Sequence, residues 1–83
     1  MNFQSVKTMA LHSKLDLVGV AWPVCLLKFK SASSSLGVRE ILEVSTRDPD
    51  VVANITLLVD RSGDTLIDQQ KDGEVYRLSI QKG

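Results

Sequence analysis

The chain has 83 residues, 43% of them hydrophobic, with ten basic and ten acidic side chains, one His, one Cys and a formal net charge of zero. That length suits one small domain and excludes a second, and a chain of this size removes only roughly 60–65% of its unfolded surface from water. A single cysteine excludes an internal disulfide and any Cys-x-x-Cys metal or redox motif, which points to a reducing compartment.

The basic residues are dispersed from Lys7 to Lys82 without a block, so nucleic acid is not an expected partner. The longest apolar run, Leu17 to Leu27, is about half a membrane helix and is interrupted by Gly19 and Pro23. No membrane association is expected. The N-terminal residues carry neither a continuous apolar core nor a convincing cleavage site for a secretory signal, and the chain reads as cytoplasmic. No cofactor and no metal site are expected.

Residues 1–13 lack clear periodicity and read as a lead-in to a domain spanning 14–83. Leu15 and Leu17 alternate with Lys14 and Asp16, which predicts a short first strand ending near Gly19. Pro23 suits the first position of a helix, because its missing N–H would have no intrahelical partner there, and the helix should run to about Ala32. The serines Ser31, Ser33, Ser34 and Ser35 read as a helix end and loop. Glu40 to Ser45 forms the second strand, with Leu42 and Val44 on one face.

Asp48-Pro49-Asp50 carries the clearest start signal: a capping carboxylate, a proline for the first helical position and an acid at the positive end of the helix dipole. Val51, Val52, Ile55, Leu58 and Val59 then form one apolar stripe, and Gly63 can end the helix. Thr65 to Gln70 and Glu74 to Gln81 flank Lys71-Asp72-Gly73, whose Asp-Gly pair is a hairpin signal, and Tyr76, Leu78 and Ile80 alternate with Val75, Arg77 and Ser79. The order is βαβαββ. A right-handed crossover should make the first two strands parallel, and two helices on one face of a mixed four-stranded sheet give an α/β two-layer sandwich. The opposite sheet face is then wet or used for association.

Gly19-Val20-Ala21-Trp22-Pro23-Val24-Cys25 joins the first strand to the first helix. In this the chain resembles the TusA/SirA-like sulfur-carrier proteins, whose first strand leads through a Gly-x-x-Cys-Pro-x-Pro motif into a helix. The resemblance covers about residues 14 to 82, including Leu15-Asp16-Leu17, Lys28 to Lys30, Glu40 to Val44, Asp48-Pro49, Gly63 and the terminal hairpin. It implies a sulfur-relay protein whose motif cysteine takes a persulfide sulfur from a cysteine desulfurase and passes it to an acceptor protein. Gly19, Trp22 and Pro23 occupy motif positions here, but Trp22 stands at the cysteine position and Cys25 at the second proline position. Val18 stands where many members carry arginine.

Cys25 is the candidate relocated catalytic thiol. In the first turn of a helix, unpaired N–H groups stabilise a thiolate, which could attack a donor persulfide, and Lys28 could add positive potential. Sulfurtransferase-like activity follows only if this thiol is reactive. The neighbours Val24, Leu26 and Leu27 favour the other assignment, a small apolar core side chain, and with it a non-catalytic relative that binds protein partners. Trp22 is expected to cover the core or the helix cap rather than to stand out as an anchor. Lys28 and Lys30 are candidates for a docking patch facing an acidic partner, although two surface lysines more often are simply solvated. Asp48 and Asp50 serve helix initiation rather than acid–base chemistry, and His12 is expected to face solvent.

Overall fold

A computed structural model describes residues 12–83, and the expected order is what it contains: β1 His12–Asp16, α1 Val24–Ser34, β2 Ile41–Thr46, α2 Pro49–Ser62, β3 Thr65–Asp72 and β4 Val75–Gln81. The last two residues assigned to the lead-in, His12 and Ser13, belong to β1, and the rest of that segment lies outside the described residues. The sheet order is β1-β2-β4-β3, with β1 parallel to β2 and the other neighbours antiparallel.

Alternation decides which sheet face is covered. Leu42, Val44 and Thr46 of β2 and Leu78 and Ile80 of β4 are buried, while the residues between them are only half-buried. Both helices pack on that inner face. The core joins these strand residues to Leu17, Cys25 and Phe29 on one side and to Val51, Val52, Ile55 and Val59 of α2 on the other.

Helix α2 begins as its sequence signals require. The Asp48 carboxylate accepts a hydrogen bond from the Asp50 N–H at 2.9 Å, Pro49 occupies the first turn, and Gly63 ends the helix in the left-handed region with φ 80°. Helix α1 starts one residue later than expected, at Val24, with Pro23 as an N-cap that offers no side-chain hydrogen bond. It also continues two residues past Ala32. The hydroxyls of Ser34 and Ser35 donate back to the carbonyls of Lys30 and Ser31, so the serines complete the last turn instead of leaving it.

Two further details depart from the sequence-based expectation. The hairpin loop is Gly73-Glu74 rather than Lys71-Asp72-Gly73, since Lys71 pairs with Tyr76 and Asp72 with Val75, and Gly73 has φ 63° in the first loop position. In β3 the register slips at Ile67, between the Leu66–Ile80 and Asp68–Ser79 pairs. Beyond that bulge, β3 carries the polar residues Gln69 and Lys71 opposite Leu78 and Tyr76, and it remains exposed. Among the described residues no helix is long and apolar enough to cross a membrane.

Candidate functional site

Parallel pairing of β1 and β2 brings their carboxyl ends to one end of the sheet, and the helix that follows each strand must start there. Open α/β sheets bind ligands at such ends. The loop from Leu17 to Pro23 therefore lies beside the Arg47–Pro49 turn. It is held by Leu17 N–H donating to the Ser45 carbonyl at 2.7 Å, and Val20 N–H to the Leu17 carbonyl at 3.1 Å. Asp16 contributes through its side chain, accepting from Val18 N–H at 3.0 Å. Gly19 turns the chain with φ 77°, a conformation that side-chain-bearing residues rarely adopt.

Trp22 leaves this loop outward. It is 55% exposed, which overturns the expectation that it covers the core or cap. The reason is where the helix begins: Trp22 lies in the turn before α1, which starts only at Val24, so the three-residue helical spacing that would set it on the buried face of Cys25 does not apply. Its indole borders an open hollow of about 480 Å³ whose other walls are Asp48, Asp50 and Asn54, at the start of α2. A neighbouring hollow of about 310 Å³ is lined by Leu17, Gly19, Val20 and the residues from Thr46 to Pro49, with Val51.

Cys25 is only 1% exposed and belongs to the core cluster, as its apolar neighbours in sequence suggest. Its N–H donates to the Ala21 carbonyl at 3.0 Å, tying the first turn of α1 to the motif loop. Pro23 and Gly19 are exposed, and the Pro23 carbonyl accepts from the N–H groups of Leu26 and Leu27. In the folded state the motif end thus presents an aromatic side chain and carboxylates to solvent, with the thiol beneath them.

The two lysines do not share one patch. Residues two apart on a helix point in very different directions, about 200° around the axis. Lys30 lines a hollow of about 180 Å³ with Phe29, Leu58, Ser62 and Lys82, at the far ends of the helices. Lys28 is exposed next to Leu27, which is 62% exposed, and Val24 is 43% exposed on the preceding turn. Asp50 and Asn54 are the residues that sequence reasoning missed as neighbours of Trp22. The signal for them was topological, because parallel strands imply that both helices start at the same end.

His12 opens β1 opposite Ile41. Among the described residues no group of three or more His, Cys, Asp or Glu side chains could hold a metal ion.

Comparison with known proteins gives a consistent result. The family model described as Sulfurtransferase TusA matches residues 13–82. The chain is 35% identical over 77 residues to the "Putative sulfur carrier protein YedF" of Escherichia coli, covering 93% of this chain and 100% of that one. It is 32% identical over 69 residues to the "Putative sulfur carrier protein YrkI" of Bacillus subtilis, covering 83% and 92%. A crystal structure of a SirA-like protein from Desulfitobacterium hafniense shares the fold, with a TM-score of 0.74 at 21% identity over 84% of this chain and 96% of that one. On the extent of the family match and the identity to full-length relatives, the chain belongs to the TusA family.

Proposed function

We propose that the protein is a sulfur-relay component that docks relay proteins, a cysteine desulfurase among them, through the end of the sheet carrying Gly19, Trp22 and Pro23. The observation that carries this reading is the inversion at the motif: Trp22, at the position of the family's cysteine, is 55% exposed, whereas Cys25 is 1% exposed. An exposed tryptophan suits the centre of a protein interface, where aromatic side chains contribute disproportionately to affinity. Val24, Leu27 and Lys28 are exposed on α1 as well, and offer further contact area there. Lys30 adds charge only at the far end of the helices. The reading puts the protein in the cytoplasm, where a lone thiol stays reduced.

A second reading is sulfur carriage on Cys25, the one cysteine of the sequence. It is favoured by the absence of a side-chain cap on α1, which leaves the turn over Cys25 held by backbone bonds. If that turn opens, the thiolate attacks the terminal sulfur of a donor persulfide. The donor's S–S bond breaks, a new S–S bond forms on Cys25 Sγ, and the donor leaves as a thiolate.

Incubation with a cysteine desulfurase and cysteine, followed by intact-mass measurement, separates the two. Docking without carriage predicts no added sulfur on the folded chain and about tenfold weaker desulfurase binding for Trp22→Ala. A gain of one sulfur atom on the native chain, absent from Cys25→Ala, would replace docking alone with carriage. Alanine is the better control because serine would bury a hydroxyl in the core.

A further inference from the structure

We infer that the hollow between Trp22 and the start of α2 receives a cationic side chain, the guanidinium of an arginine or the ammonium of a lysine, presented by a docked protein. This deepens the docking reading and rests on it. The hollow, of about 480 Å³, has room for the end of a long side chain, and its wall combines one exposed aromatic ring with Asp48, Asp50 and Asn54.

The charged atoms around it are carboxylate oxygens, all acceptors. Asp48 uses Oδ1 to cap the helix and keeps Oδ2. Asn54 directs one N–H of Nδ2 to the Asp50 carbonyl at 2.8 Å and keeps its Oδ1 acceptor and its second N–H. Among the described residues neither Asp48 nor Asp50 has an ion-pair partner, and the adjacent Arg47 is engaged by Glu74 at 3.6 Å. The start of α2 contributes roughly half a positive charge, against two carboxylates, so the field in the hollow remains negative. A carboxylate pair facing an indole suits a cation with an apolar stem: the charge meets the acids and the ring face, and the methylenes cover the ring. An anion or a neutral apolar group would leave the carboxylates without a partner.

The probes are three capped tripeptides, Gly-Arg-Gly, Gly-Lys-Gly and Gly-citrulline-Gly, titrated into the ¹⁵N-labelled full chain and followed by NMR. Trp22 is the one tryptophan of the sequence, so its indole N–H is an unambiguous reporter. The arginine and lysine peptides should shift the Trp22 indole and the Asp50 and Asn54 amides saturably. Citrulline, which keeps the shape of arginine without its charge, should not. Asp50→Asn, which retains the Asp48 cap, should weaken binding about threefold, and Trp22→Leu, read at the Asn54 amide, by a similar factor. Equal shifts with the citrulline peptide would overturn the inference. So would arginine-induced shifts spread over Asp60, Asp68 and Asp72 with the Trp22 indole unmoved. If desulfurase binding falls with Trp22→Ala but is untouched by Asp50→Asn, the docking reading stands and the cation site does not.

Discussion

The two helices lie side by side on one sheet face and start at the same end, yet they are secured differently. Helix α2 has a capping carboxylate, a proline in its first turn, a left-handed glycine at its end and four buried apolar residues. Helix α1 has no side-chain cap and two buried residues, Cys25 and Phe29, while Val24 and Leu27 face solvent. The difference teaches where fold and function separate. Helix α2 commits four apolar residues to the core and leaves Leu57 half-exposed, whereas α1 commits two and leaves Val24 and Leu27 at the surface, where a partner can reach them.

The largest expected effect tests the anchored helix. Ile55 is fully buried, and Ile55→Ala should cost about 3–4 kcal/mol in urea unfolding, the range for deleting a buried aliphatic side chain. An effect below about 1 kcal/mol would mean that α2 does not organise the core as described. Next, Asp48→Ala removes the cap and should cost about 1 kcal/mol. At the join between α1 and β2, Arg39 holds a φ of 69°, so Arg39→Gly should stabilise by up to about 1 kcal/mol. The smallest effect belongs to the outward face of α1: Leu27→Gln should change stability by less than about 0.5 kcal/mol, because that side chain is already largely in water. A large loss there would show that Leu27 packs within the chain and is not free for a partner.

The same contrast explains what the sequence made legible. Every signal at α2 is local, since capping, proline and glycine act within a few residues, and that helix was read with its start and stop in place. The alternation of β2 and β4 likewise placed the buried face. The hairpin loop lies beyond Lys71 and Asp72 because Gly73 satisfies a left-handed conformation in more than one loop position, and pairing with β4 decides between them. At the site, the burial of Cys25 followed from its apolar neighbours. The exposure of Trp22 did not, because it depends on α1 beginning at Val24 rather than earlier, and with no side-chain cap there the sequence carries no sharp start signal for that helix. The meeting of Trp22 with Asp50 and Asn54 required the parallel pairing of β1 and β2 to be followed through to its spatial consequence.

The most direct test of the central claim, that the folded chain presents Trp22 and keeps its thiol sealed, is the time course of Cys25 labelling by a small chromogenic disulfide. In native buffer the account predicts no reaction at mixing and a slow phase set by opening of the fold, with one thiol released promptly in denaturant. Prompt stoichiometric labelling of the native protein would contradict it and return Cys25 to the surface as a working thiol.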